Sequence, residues 1–281
     1  MWFLKRRPVV PVIRFSGPIG MATPLRPGLS IAAVADGLER AFSMSKLPTV
    51  AVIVNSPGGS PVQSNLIFKR IRHLAAEKKK KVYVFCEDVA ASGGYFLAVA
   101  GDEIYADPSS IVGSIGVIAA GFGFDKAIDK LGIERRVYTA GENKLVLDPF
   151  QPEKASDIER IKAIQKDVHD IFIGIVKDRR AARLKGLDQD LFSGAFWAAP
   201  RALELGLIDG VADVRSKMRE IHGENVQLKV VPFATGGMLS RLFRLPRLMH
   251  TPSTEAGIPL AFADDLMSAI ETRALWSRYG L

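Results

Sequence analysis

Apolar runs broken by glycine, proline and serine recur along the first half of the chain, and their period changes from run to run. VVPVIRF at 9–15 and TVAVIV at 49–54 are continuously apolar and β-branched, as expected of strands buried on both faces of a parallel sheet. Between them Ser30 caps a predicted helix in which Ile31, Val34, Leu38 and Phe42 recur at helical spacing. A second helix is predicted from Pro61 to Ala76, closed by the lysines at 78–81, which suit a negative helix terminus. VYVFC at 82–86 is the next buried strand. YFLAVA at 95–100 is uniformly apolar, the mark of a short helix inside the core.

Further along, EIYAD and IVGSIGVIAAG read as strands, FDKAIDKLG as a helix and ERRVYTAG as another strand. A long helix is predicted from Glu153 to Ala182, with Ile158, Ile161, Ile164, Val168, Ile171, Ile175 and Val176 as an apolar stripe for the core or a subunit contact. The alternation predicts an α/β fold: a largely parallel sheet of repeated β-α units with flanking helices. Residues 1–235 form one predicted domain and 236–281 a basic and apolar tail. Within the tail, GGMLSRLFRLPRLMH at 236–250 suits either an anionic lipid surface or an ordinary flexible segment. Leu266 to Tyr279 reads as a short terminal helix or as a segment packed on a neighbouring subunit.

Composition narrows the chemistry. With 281 residues and 48% hydrophobic content the chain can build a substantial core. Its single cysteine, Cys86, excludes an intramolecular disulfide and a cysteine-cluster metal site, and the four histidines form no close ligand pair. No metal and no cofactor are expected. The net charge of +8 sits partly in short basic runs without interleaved aromatic residues or a recognition module, so nucleic acid is not an expected partner. No stretch reaches the roughly 20 apolar residues that span a bilayer. A cytoplasmic location follows as the default, with peripheral membrane contact through the last basic run.

Two turns carry the candidate chemistry. NSPGG at 55–59 and AASGGY at 90–95 each follow a buried strand and open a helix, so in a parallel sheet both lie at the carboxyl edge where such folds bind ligands. Ser92 stands at the start of a helix, beside unpaired backbone N–H groups and the positive end of the helix dipole. The N–H groups of Gly59 and Gly93 are placed to converge on one carbonyl oxygen, as an oxyanion hole requires.

A serine nucleophile needs a base. His169, between Asp167 and Asp170 in the long helix, reads as a solvated position, and the other histidines lie in no strand-end context. Lys144, in TAGENKLVLDPF, stands apart from the surface lysine runs because the apolar Leu145, Val146 and Leu147 follow it. At an ordinary pKa of about 10.4 only ~0.4% of a lysine is neutral at pH 8, and lowering that value to ~8 costs roughly 3 kcal/mol. A lysine base therefore demands a dry pocket. Ser114 in GSIGV is a candidate to orient it, although on these residues alone an exposed loop lysine is the simpler reading.

NSPGG, AASGGY, DPSSIVGSIGV, GENKLVLDPF and LFSGAFWAAPRALELGLIDGVAD occur in the order found in the signal peptide peptidase A family of serine peptidases, and residues 8–235 resemble that family. The resemblance implies a Clp/crotonase-like fold, a serine–lysine dyad and a peptide substrate. By motif it makes Ser92 the nucleophile, Lys144 the general base and Ser114 its orienting hydroxyl, with Gly59 and Gly93 as the oxyanion hole. It further implies homo-oligomers in which serine and lysine of the short members come from neighbouring subunits, and assigns Trp197 and Leu205 to packing. Two rivals compete with a serine endopeptidase of hydrophobic or unfolded peptides, such as remnant signal peptides. One is a crotonase-like acyl-CoA enzyme, which would need a carboxylate in place of the dyad; the other is a non-catalytic membrane-associated scaffold.

Overall fold

In the computed structural model, which describes residues 7–21, 28–233 and 269–281, one sheet organises the chain. Its spine is β1 (Val9–Ser16), β2 (Thr49–Ser56) and β3 (Lys81–Ala91), joined by the helices α1 (Ile31–Met44) and α2 (Pro61–Glu77). These are right for their places: every residue of β2 is buried, as its β-branched run requires, and Ser30 caps α1 by accepting from the Ala33 N–H. The short α3 (Gly93–Ala98) is wholly buried behind β3.

β3 is long enough to carry two neighbours on one edge. Tyr83 to Cys86 pair with β4 (Glu103–Ala106), and Val89 to Ala91 pair with β5 (Ile111–Gly113). β4 continues to β7 (Gly210–Val211), and β5 to β6 (Phe196–Ala198), the latter being the antiparallel pair of an otherwise parallel sheet. β8 (Gln227–Val230) closes the far side against β1. The result is the α/β architecture with a largely parallel sheet that the alternation of apolar runs predicts.

One face of the sheet packs on α1, α2, α3 and the long α5 (Ala155–Arg180); the other packs on Met218 of α8 (Val214–His222). α5 is locked at its carboxyl end. The fully buried Arg180 donates to both carboxylate oxygens of Asp209, at 2.8 and 3.0 Å, and Arg179 reaches Asp102. Its middle is fixed by Phe172, which stacks on Phe96 of α3 at 4.8 Å between ring centres. After Glu204, the end of α7 (Ala199–Glu204), Gly206 turns the chain at φ +74°, and Leu205 and Trp197 pack on the core.

The stretch from 117 to 154 departs from expectation. Apart from the single helix α4 (Asp125–Lys130), it contains no strand, and β5 ends at Gly113 rather than continuing through Ala120. ERRVYTAG is likewise not a strand. Apolar and β-branched character alone does not make a strand; its backbone needs a partner to bond, and none runs alongside this stretch among the described residues. Ile118, Phe122, Leu131, Ile133 and Tyr138 are all more than half exposed, Tyr138 at 91%. The α5 stripe is split in the same way, Val176 buried and Ile164 and Ile171 open.

Candidate active site

β3 ends at Ala91, and Ser92 makes the turn into α3 with φ +53° and ψ −122°. That combination ordinarily belongs to glycine in a tight turn, and a serine held there is strained. It is held from both sides: the Ser92 N–H donates to Gly113 O at 2.8 Å, and the Ser92 carbonyl accepts from the Phe96 N–H at 2.9 Å. The Ser92 hydroxyl makes no capping bond to α3, although it precedes the helix. Its side chain borders a cavity of about 300 Å³.

The glycine turn after β2 lies directly against it. A Cβ on Gly58 would meet Ser92 Cβ at 2.8 Å and Gly93 N at 2.9 Å, so only glycine lets the two turns touch. Gly59, at φ +139°, is pinned by the loop after β1: Ile19 N–H donates to Gly58 O and Ser60 N–H donates to Ile19 O, both at 2.8 Å. Gly59 N lies 3.2 Å from where a Gly93 Cβ would stand. Among the described residues neither the Gly59 nor the Gly93 N–H has an acceptor. Two neighbouring free donors beside a hydroxyl at the positive end of a helix can together hold an oxygen that gains negative charge.

The cavity is chiefly apolar. Phe96, Val168, Phe172 and Ile118 line it, and so do Leu275 and Arg278 of the C-terminal segment, whose residues 269–277 are helical. Further contacts hold that segment in place. Tyr279 is buried against Val89 and Ala91 and meets the Phe196 ring edge-on at 5.1 Å. The described part of the terminal helix expected from Leu266 to Tyr279, which begins at residue 269, thus packs on its own chain beside Ser92; residues 236–250 and their proposed lipid contact lie outside the described residues.

Ser114 follows Gly113, whose carbonyl holds Ser92. It is buried, adopts φ +53° and donates its N–H to Ala195 O at 2.7 Å. Lys144 is elsewhere. It sits in an exposed turn, its N–H donating to Gly141 O at 3.3 Å, and it does not line the Ser92 cavity. Within one chain the dry pocket that a lysine base demands is not built around it. His169 also differs from the solvated position expected of it: half-buried, it places Nε2 3.0 Å from Ile115 O. Its acidic sequence neighbours do not share its direction, since adjacent helical residues point about 100° apart.

A second cavity, of about 340 Å³, lies beside the middle of β3 and the carboxyl ends of β4 and β7 and is lined by Glu87, Asp88, Asp107 and Asp213. Each carboxylate is already engaged, by Arg14, Asn55, the Ser109 N–H and the start of α8 respectively. The neighbouring Cys86 is no nucleophile, because burial pushes its thiol up to about 12. Among the described residues no group of histidine, cysteine and carboxylate side chains could hold a metal ion.

This arrangement, a strained serine at a strand-to-helix turn beside paired backbone donors, is one on which acyl transfer can run. Residues 75–228 match the model of Peptidase family S49, and the chain belongs to that family. "Na(+)/H(+) antiporter NhaA" of Brucella abortus is 55% identical over 275 residues, 97% of this chain and 37% of that protein; a protein of the same name from Brucella melitensis matches equally. "Serine protease SPPA, chloroplastic" of Arabidopsis thaliana is 30% identical over 216 residues, 73% of this chain and 31% of that protein. The chain spans about a third of the length of these relatives. Among its described residues no helix is long and apolar enough to cross a membrane.

Proposed function

We propose that this chain is a serine endopeptidase that cleaves hydrophobic or unfolded peptides, remnant signal peptides among them, and works as a homo-oligomer. The observation that carries the reading is the Ser92 turn, where a serine on a strained backbone borders an apolar cavity beside the free N–H groups of Gly59 and Gly93. Membership of a peptidase family and the likeness to a chloroplast serine protease support it.

In this mechanism Ser92 Oγ attacks the scissile carbonyl while a neutral lysine takes its proton. The carbonyl oxygen becomes an oxyanion facing the Gly59 and Gly93 N–H groups. As the tetrahedral adduct collapses, the carbon–nitrogen bond breaks, the lysine returns the proton to the leaving amine, and an acyl ester remains on Ser92. Water, deprotonated by the same lysine, then releases the acid and restores the hydroxyl.

Lys144 fills the role of base from a neighbouring subunit. Its exposure in one chain and the row of open apolar residues from Ile118 to Tyr138 have one cause in this reading: the segment is built to pack on another copy. Docking there dries the lysine and brings it to a partner's Ser92, with Ser114 as the hydroxyl that orients it. A cytoplasmic site of action, peripheral to the membrane, fits the same proposal.

The test is hydrolysis of a fluorogenic apolar peptide by the native chain, Ser92→Ala and Lys144→Ala. Loss of activity in both variants, with the native rate rising toward alkaline pH, supports the dyad. Full activity of Lys144→Ala removes the lysine from the mechanism, and full activity of Ser92→Ala removes the serine.

A further inference from the structure

The geometry points to His169 as a positioning residue that clamps the Gly113–Ile118 segment and so holds Ser92 and the wall of its cavity in register. This inference rests on the reading of Ser92 as nucleophile, and it adds a residue that the dyad does not include.

Three successive residues are tied to three different elements. Gly113 O accepts from the Ser92 N–H at 2.8 Å, the Ser114 N–H donates to Ala195 O at 2.7 Å, and Ile115 O meets His169 Nε2 at 3.0 Å. The first two residues have φ of +114° and +53°. Glycine takes its value without cost, but a serine at φ +53° persists only where the surroundings over-determine it. Immediately beyond, Gly116, Val117 and Ile118 line the cavity and then run into the exposed stretch, which gives them no support. Among residues 113–118, Ile115 is therefore the last with a backbone hydrogen bond, its side chain in the core and its carbonyl on His169.

The clamp stands on a rigid support. On α5, Val168 and Phe172 flank His169 and line the same cavity, and Phe172 stacks on Phe96 one turn beyond Ser92. A carbonyl can only accept, so Nε2 carries the hydrogen; the neutral Nε2–H tautomer and the imidazolium both donate this bond. The clamp thus does not depend on protonation of His169. What it requires is a donor at this reach from α5.

The effect on catalysis passes from His169 through Ile115 to Gly113 and then to the Ser92 N–H, so it falls on the rate of the chemical step more than on substrate capture. Two variants separate donor from volume: His169→Phe fills the space without donating, and His169→Gln donates again. We measure kcat and KM on a fluorogenic apolar peptide, and amide hydrogen exchange over residues 113–118 in the intact protein, with Ser92→Ala as control. The expected result for His169→Phe is a kcat about tenfold lower, the worth of one hydrogen bond in a barrier, with a smaller change in KM and faster exchange at 113–118. His169→Gln recovers most of both.

Unchanged exchange in His169→Phe overturns the clamp itself, whatever the activity. Faster exchange with native kcat overturns its link to catalysis, as does His169→Gln being as slow as His169→Phe. Activity in Ser92→Ala would instead sink the nucleophile reading, and the exchange measurement would still decide the clamp.

Discussion

The Ser92 turn and the Lys144 stretch are built in opposite ways. Around Ser92 the backbone is fastened by bonds from β5, α3 and the loop after β1, and α3 behind it is wholly buried. Around Lys144 the chain is open: nearly every residue from 118 to 144 is exposed, α4 buries none of its residues, and aromatic and branched side chains face outward. In the proposed mechanism the serine half of the site is finished within a single chain, and the lysine half is completed by a partner. The contrast teaches where strain can be stored. A serine at φ +53° is tolerated only because the surrounding packing outweighs its cost, whereas in the proposed mechanism the lysine stays solvated until another subunit covers it.

The largest effect expected from breaking this contrast is at Ser92 itself. Ser92→Ala should lower kcat by about 10³-fold or more, while Ser92→Gly, equally inactive, should be the more stable of the two by about 1 kcal/mol because glycine accepts the turn without strain. Thermal unfolding of the two variants beside their peptide hydrolysis checks both halves. Equal stability would mean that the turn is not strained.

Next comes the open stretch. Phe122→Asp combined with Tyr138→Asp should yield monomers in sedimentation and lose most activity, although neither residue lines the Ser92 cavity. Native activity in a proven monomer would detach this surface from catalysis. A comparable loss, about 10²-fold, is expected for Gly59→Ala, whose Cβ would stand 2.1 Å from Ile19 O and push the donor aside. In that variant the subunits should still associate, which separates damage to the finished half from damage to the open one.

Removing residues 269–281 takes Leu275 and Arg278 from the cavity wall and should change KM more than kcat, since neither belongs to the reacting groups. The smallest effect is a control far from both halves. Burial holds His222 below the ordinary imidazole value, and its ring bonds Thr49 Oγ1 at the start of β2. The unfolded chain takes up that proton near pH 6.5 and the folded chain only below it, so stability should fall as pH drops through 6.5. His222→Gln should flatten that slope and leave kcat unchanged.

The sheet could be read from the chain because its central strands are buried on both faces, and continuous runs such as TVAVIV have few other uses. The turns at NSPGG and AASGGY were equally legible, since close contact between two backbones leaves room for glycine alone. The stretches GVIAAG and ERRVYTAG misled, because apolar character shows that a segment must be covered but not whether a strand or another chain covers it. His169 was missed for a related reason. Its neighbours Asp167 and Asp170 suggest solvent, yet the direction of its ring is set by how Phe172 and Arg180 seat the helix. The C-terminal contact with the cavity joins residues more than 180 positions apart in the chain, and no local pattern carries that information.

If a complete site takes its serine from one chain and its lysine from another, mixing inactive variants restores it. Ser92→Ala and Lys144→Ala would be assayed apart and then together after dissociation and reassembly. Two inactive samples should recover a definite fraction of native activity when mixed, because some interfaces then pair an intact serine with an intact lysine. Two inactive samples that stay inactive in verified mixed oligomers would contradict it.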